Sequence, residues 1–213
     1  VLVTAAKEVI LNISLNPVTF KTDEVVLRSK ERGRPANSLA LLSTIAFEAE
    51  DMRKFAGGLD DPTRLMANFP GVNGNGFISD NFISVRANSP RGLKYMVEGV
   101  EIPNPNHFAR IGSSGGIFTI FSPQVLGTSD FFTGSWPAEY GDATAGVFDI
   151  HFRNGNNQKR EYALQASILG VDLAAEGPFK KGGKASYLIN YRFSTLTAAN
   201  LIINYLTLPQ FQD

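Results

Sequence analysis

The 213-residue sequence contains no cysteine, only two histidines and a single tryptophan. Without cysteine there is no disulfide framework, no thiolate metal site and no cysteine nucleophile. Charge of one sign is lacking too: twenty basic residues balance twenty acidic ones. That balance leaves no electrostatic footprint for nucleic acid or an anionic lipid surface, so nucleic acid is not an expected partner. Nor is there an apolar run near the roughly 20 residues that a membrane-spanning helix needs. Val1 to Ala6 shows no basic region followed by an apolar core, so a signal peptide was removed or the chain is an excised fragment, and the abrupt ends favour a fragment.

What is present is a chain that is 43% hydrophobic, enough to bury a core in one sizeable domain or two small ones. Val9, Leu11, Ile13 and Leu15 alternate with polar residues up to Pro17 and read as a strand. Asp23-Glu24-Val25-Val26-Leu27 is a second short β-prone run, and the charged stretch from Arg28 to Pro35 reads as linker. A helix is expected from Thr44, with Ser43 or Thr44 as N-cap, Glu48 closing a capping box, and Phe47, Met52 and Phe55 on one face. Gly57-Gly58 ends it. Asp60 or Asp61 then caps a second helix with Pro62 in its first turn, and Pro70-Gly71 closes that one. Beyond this point short strands are expected at Phe82 to Val85, Lys94 to Val97, Gly127 to Thr133 and Val147 to Phe152. The connection from Pro103 to Ser122 is long for a compact domain.

After Asn154-Gly155-Asn156-Asn157 the pattern changes to two longer alternating segments around a turn at Lys180 to Gly183. In the second, Ala185, Tyr187, Ile189, Tyr191 and Phe193 share one face, and Ser186, Leu188, Asn190 and Arg192 the other. Leu164, Ala166 and Ile168 against Gln165 and Ser167 repeat this in the first. A tilted transmembrane β-strand of roughly 9 to 11 residues with an apolar outer face has this pattern; so does an ordinary solvent-facing hairpin.

Three patterns carry possible chemistry. Gly112-Ser113-Ser114-Gly115-Gly116 fits a Gly-x-Ser-x-Gly nucleophile elbow, with Asp142 or Asp149 and then His151 in hydrolase order. The run before it, His107-Phe108-Ala109-Arg110-Ile111, is too short and polar for the buried strand an elbow requires, so a flexible Gly/Ser loop is the better reading. Gly71, Gly74 and Gly76 lack the preceding strand and the Lys-Ser/Thr of a phosphate cradle. His107 and His151, with no thiolate, make a poor metal site. No catalytic residue, metal or cofactor is expected.

Read together, five blocks resemble, in order and spacing, the plug of TonB-dependent outer-membrane receptors. They are Asp61-Pro62-Thr63-Arg64, Phe69-Pro70-Gly71-Val72, Ser84-Val85-Arg86-Ala87, Tyr95 to Pro103, and Pro137-Ala138-Glu139-Tyr140-Gly141-Asp142. The resemblance spans about residues 23 to 194 and is closest to receptors with a carboxypeptidase-regulatory-like β-domain before the plug, whose last strand would be Lys7 to Leu15. Gly177-Pro178-Phe179 and Tyr187 to Arg192 look like that family's first barrel hairpin. Where the family pattern has Arg-Gly, this chain has Arg86-Ala87, and a left-handed backbone there would be uncomfortable for alanine.

The resemblance implies an α+β fold: a plug of short mixed strands with two helices, then a β-hairpin of a transmembrane β-barrel. Residues 1–23 would end a preceding β-domain and linker, 24–155 form the plug, and 156–213 hold the first barrel strands, with the hairpin at 158–194. It implies a gate and ligand sensor for active uptake of a nutrient across the outer membrane, seated inside the barrel and reachable from the periplasm. The partners would be periplasmic TonB, the barrel of the same receptor, outer-membrane lipid and a transported ligand of unknown identity. Asp23, Glu24, Val25, Val26 and Leu27 resemble the TonB box. Arg86 and Glu139 are charges that an otherwise apolar domain must pair or hydrate, and the resemblance implies that they lock onto the barrel wall. The alternatives are a soluble periplasmic binding or adhesion module, in which the final hairpin is ordinary sheet, and a serine hydrolase using Ser114.

Overall fold

The computed structural model describes residues 33–40, 42–55, 57–74, 80–109, 112–167 and 170–194. The expected strand up to Leu15 and the run Asp23 to Leu27 lie outside the described residues. In chain order the elements are β1 (Thr44–Phe47), α1 (Ala49–Lys54), α2 (Pro62–Met66), β2 (Val72–Gly74), β3 (Ile83–Val85), β4 (Leu93–Val97) and β5 (Val100–Ile102). Then follow β6 (Asn106–His107), β7 (Phe118–Thr119), β8 (Ser129–Phe132), β9 (Gly146–Ile150), β10 (Glu161–Ser167), β11 (Gly170–Pro178) and β12 (Ser186–Ser194). The architecture is mixed sheet with few helices, as the sequence suggested.

A five-stranded sheet of order β1-β8-β9-β4-β5 organises the first part. Strands β4 and β9 run parallel, and the other pairs are antiparallel. Strand β9 is central, and all five of its residues are buried. Phe148 stacks on Phe131 at 4.2 Å between ring centroids and on Tyr95 at 5.0 Å, with Phe47 edge-on at 6.5 Å. Met52, Leu65 and Met66 from the two helices belong to the same cluster. On the other face Phe132, Val147 and Tyr140 pack with Trp136 and Met96. Each large side chain buried this way contributes about 1.5–3 kcal/mol, and this burial is what closes the domain.

The first helix starts later than the sequence suggested. Thr44 to Phe47 pair with Phe132 to Ser129 as an edge strand, because a β-branched pair followed by a core aromatic suits a half-buried pleat. Glu48 is the N-cap and forms a capping box with Asp51, whose Oδ2 accepts from the Glu48 backbone N–H at 2.9 Å. Phe47 therefore serves the sheet, Met52 alone of the expected trio is buried from the helix, and Phe55 is exposed. The second helix starts as expected: Asp61 accepts from the backbone N–H groups of Thr63 (2.8 Å) and Arg64 (3.4 Å), and Pro62 occupies the first turn. It ends at Met66, before Pro70. Burial raises the Asp61 carboxyl above its ordinary range, against the Asn81, Thr63 and Arg64 hydrogen bonds.

Beyond residue 160 a separate three-stranded antiparallel sheet has the order β10-β11-β12. The turn near Lys180 to Gly183 is present, with the Gly183 N–H bonded to the Lys180 carbonyl. The first alternating segment, however, divides into two strands, so there are two hairpins where the sequence suggested one. The register sets Tyr162, Ala175 and Ile189 side by side, then Leu164, Leu173 and Tyr191, then Ala166, Val171 and Phe193. This entire face is apolar. Its largest members, Tyr162, Leu164, Leu173, Ile189, Tyr191 and Phe193, are 45–75% exposed. The opposite face aligns Glu161 with Glu176 and Leu188, Ala163 with Ala174 and Asn190, and Gln165 with Asp172 and Arg192.

Candidate functional site

The polar face of the three-stranded sheet is fastened to the mixed-sheet domain by side chains whose inward direction follows from strand alternation. Glu176 of β11 receives Arg153 in a two-pronged ion pair, Nη1 to Oε2 at 2.7 Å and Nη2 to Oε1 at 2.8 Å. Asn156 adds its backbone N–H at 2.8 Å, and Arg153 Nε donates to the Gln124 carbonyl at 2.7 Å. Hydrogen bonding from Arg153 holds the Glu176 carboxyl below its usual range, and the same contact raises the guanidinium. Two register steps further along the inner face, beyond Ala174, buried Asp172 accepts from the Ser122 hydroxyl and the Asn190 amide.

Arg192 Nη1 donates to the Phe121 carbonyl at 2.8 Å, and Gln165 Nε2 donates to Asp60 Oδ2 at 2.7 Å. A cavity of about 180 Å³ lies in this seam, bounded by Arg53, Asp60, Gln165, Asp172 and Arg192. The seam is thus directional and polar. Individual hydrogen bonds of this kind contribute about 0.5–1.5 kcal/mol, and about 1.5–3 kcal/mol when one partner is charged. They fix orientation without welding the two parts into one apolar core.

Arg86 follows β3 with φ 50°, and Ala87 follows with φ 62°, so the left-handed backbone that alanine tolerates poorly is present at both. Arg86 Nη2 donates to Ser43 Oγ at 3.3 Å, and Glu139 accepts from Asn37 Nδ2 at 2.6 Å. Their hydrogen bonds stay inside the domain, and neither reaches the three strands.

Ser114 is buried, and its hydroxyl has no hydrogen-bond partner. Its carbonyl accepts from Tyr95 and Asn106. His151 instead lies 3.1 Å from Asp149 and 3.9 Å from Glu98, and Asp142 is an exposed turn residue with φ 63°. Among the described residues no base reaches the serine. Gly71 (φ 80°) sits at a turn and Gly74 pairs with Ile83 in β2; Gly76 lies outside the described residues. The His107 ring packs on Phe118 at 5.1 Å, apart from the partners of His151. Burial, and secondarily the charge of Arg192, lowers its pKa.

The residues that build the seam, Arg153, Asp172, Glu176 and Arg192, were not singled out from sequence as partners of one another. The available signal was parity: Asp172, Glu176 and Arg192 each fall among apolar or small neighbours on the inward phase of their strands, whereas Arg153 lies in the connection after β9.

No protein-family model and no curated protein matches the chain. Among solved structures, the ferric enterobactin receptor PfeA of Pseudomonas aeruginosa, in its complex with BCV-L6, is 18% identical with a TM-score of 0.46 over 72% of this chain and 24% of that one. The outer membrane transporter YddB from Escherichia coli is 14% identical with a TM-score of 0.43 over 63% of this chain and 23% of that one. The chain therefore spans about a quarter of the length of either structure. Likenesses at this level decide nothing about its activity.

Proposed function

We propose that the chain is the plug of a TonB-dependent outer-membrane receptor, residues 24–155, joined to the first strands of its barrel within residues 156–213, with residues 1–23 ending a preceding β-domain. The observation that carries this reading is the reversed polarity of the sheet β10-β11-β12. Its outward face is apolar throughout, while its inward face is polar and hydrogen-bonded to a folded domain. A wall strand between lipid and lumen has this pattern, and β11 and β12, at nine residues each, have the length of a tilted membrane strand of about 9–11 residues. A soluble module would hold the same apolar face in water, where a contiguous patch drives association. Among the described residues no base stands within hydrogen-bond distance of the Ser114 hydroxyl, as the hydrolase alternative would require.

In this reading the domain blocks the lumen of a wide barrel, of about 22 strands, and serves active uptake of a nutrient too large or scarce for porins. Arg86 and Glu139, both exposed, are assigned to wall strands beyond the three described. Nitroxide labels placed in the complete receptor test the wall. Labels at Leu173, Ile189 and Tyr191 should relax strongly with lipid-soluble oxygen and weakly with a water-soluble nickel chelate, with the opposite preference at exposed Lys181; water accessibility at the first three sites would sink the reading.

Asp23 to Leu27 is assigned to TonB, which would take it by strand addition, using backbone hydrogen bonds for affinity. Proline at Val26 removes a donor and fixes the dihedral. Val26→Pro in the complete receptor should abolish energy-dependent uptake while ligand binding survives, and normal uptake by a well-expressed variant would refute the assignment.

A further inference from the structure

The long connection from Pro103 to Ser122 is tied down by side-chain amides. Two buried asparagines anchor it. Asn81 Nδ2 donates to Asp61 Oδ2 at 2.6 Å and to Asn106 Oδ1 at 2.7 Å, and its own Oδ1 accepts the Gly116 N–H at 2.8 Å. Asn106 Nδ2 donates onward to Asn104 Oδ1 at 2.8 Å and to the Ser114 carbonyl at 3.2 Å. Asn104 Nδ2 then holds the carbonyls of Ser113 at 3.0 Å and Gly115 at 3.1 Å. Glycine is needed at the two tightest points: a Cβ on Gly115 would stand 2.7 Å from the Cβ of Phe82, and one on Gly116 would stand 2.6 Å from that of Asn106. A satisfied network of buried amides rigidifies what it holds, so residues 113–116 are pre-shaped.

Arg91 comes just before β4 and Pro103 just after β5, and the antiparallel pairing of those strands brings both to one end of the hairpin. There, beside the anchored loop, lies an open cavity of about 400 Å³, within the roughly 300–1,000 Å³ range of small-molecule sites. Leu93 and Pro103 supply apolar wall, and Arg91, Asn104, Ser113 and Ser114 supply polar lining. Arg91 is fixed along one edge, with Nε donating to the Gly112 carbonyl at 2.6 Å, and neither Nη has an acceptor among the described residues. Ser114 is only 4% exposed, yet its Oγ has no hydrogen-bond partner. The Tyr95 hydroxyl is spent on the Ser114 carbonyl at 3.2 Å. Ser113 Oγ accepts the Gly115 N–H at 3.1 Å, which leaves its own hydrogen to donate. A buried hydroxyl left unpaired is costly, and this closely bonded loop keeps one in the lining of a cavity.

We propose that the cavity is a binding site for a carboxylate carried on a small, largely apolar body, with the Arg91 Nη groups and the Ser113 and Ser114 hydroxyls as its donors.

Charge and donor geometry select the ligand class. A carboxylate brings one negative charge and two coplanar oxygens, which match the paired N–H groups of a guanidinium. Among the described residues Arg91 is the one charged group in the lining. A dianion such as phosphate would therefore keep one charge uncompensated, and a cation would meet a guanidinium with no carboxylate to offset it. Leu93 and Pro103 are left to cover the apolar body. The site rests on this loop alone and needs no receptor; if the receptor reading also holds, the carboxylate belongs to the transported solute.

Benzoate is the probe, with benzamide as its uncharged counterpart and inorganic phosphate as the dianion. Each is titrated into the full 213-residue chain, held in a neutral detergent that covers the apolar face, and binding is read from the backbone amide NMR shifts of Ser113, Ser114, Gly115 and Gly116. For so small a ligand, benzoate should bind with a Kd on the order of 1–10 mM. Benzamide should bind at least about tenfold more weakly, and phosphate more weakly than benzoate. Arg91→Gln should weaken benzoate about tenfold or more while changing benzamide little. Ser114→Ala should weaken benzoate about three- to tenfold without lowering the urea midpoint, because the deleted hydroxyl makes no bond within the protein. A serine with a structural role only would not separate those two readouts. The proposal is overturned if about 50 mM benzoate, several times the expected Kd, leaves the four amides unmoved, if phosphate binds more tightly than benzoate, or if either folded variant binds benzoate like the wild type. Should Arg91→Gln fail to fold, Ser114→Ala and the ranking of the three probes decide alone. Failure here leaves the receptor reading standing, and failure of the labelling test leaves the carboxylate site standing.

Discussion

Strands β9 and β11 lie in the same chain and obey opposite rules. In β9 both faces are covered: Phe148 and Ile150 enter the aromatic cluster, Val147 enters a second cluster, and the one charge, Asp149, is hydrogen-bonded. In β11 only the inward phase is engaged, through Asp172 and Glu176, while Val171, Leu173 and Ala175 form part of the outward apolar face. The domain around β9 coheres by removing apolar surface from water, a non-directional force roughly proportional to area. The sheet around β11 is attached by directional hydrogen bonds and turns its apolar side away from its partner. A strand pattern thus separates faces that are covered from faces that are left exposed, and the chain contains both.

That contrast can be broken most severely at Phe148. Truncation to alanine empties a site between Phe131 and Tyr95 and should cost about 3–5 kcal/mol. Tyr191→Ala removes an aromatic of comparable size from the outward face, where it is 61% exposed, and should change stability by less than about 0.5 kcal/mol. Urea unfolding followed through Trp136, the single tryptophan, reads both. Light scattering should show the second variant less associated than the wild type in water, because it shrinks the exposed patch. Comparable losses of stability would mean that the outward face is packed and that the contrast between the two sheets fails.

The sequence made the apolar side of this contrast legible and hid the polar side. The strands at β3, β4, β8 and β9 and the capped start of α2 follow from alternation and from Asp61-Pro62, signals contained within a few residues. The start of α1 was misjudged because Ser43 and Glu48 satisfy the spacing of a cap and box, whereas the pairing of Thr44–Phe47 with β8 is a contact across about eighty-five residues that no local pattern registers. The division into β10 and β11 had a visible signature. The outward positions run even through Tyr162, Leu164 and Ala166, and odd through Val171, Leu173 and Ala175, and a change of phase demands a turn. Arg153 with Glu176, and Asp130 with Ala36 and Asn37, are partnerships between distant segments, so composition places the charges without matching them.

The smallest effect sharpens the comparison at a place where the domain stores backbone strain beside a strand. Val85 closes β3, buried, and Arg86 and Ala87 then take φ of 50° and 62° before the Asn88 N–H returns to the Val85 carbonyl. A left-handed non-glycine residue costs about 1–2 kcal/mol, and glycine at Ala87 would remove that cost. Against this, glycine widens the unfolded ensemble, which takes back about 0.4–1 kcal/mol. The difference leaves Ala87→Gly more stable by roughly 0.5–1 kcal/mol, seen as a higher urea midpoint at unchanged slope. Arg86→Gly would relieve the same kind of strain, but it also deletes the hydrogen bond to Ser43 at the entrance to β1, so Ala87 is the cleaner probe. A lower midpoint for Ala87→Gly would show that the turn after β3 is not left-handed in solution, and that the tight return anchoring the domain at this corner is built another way.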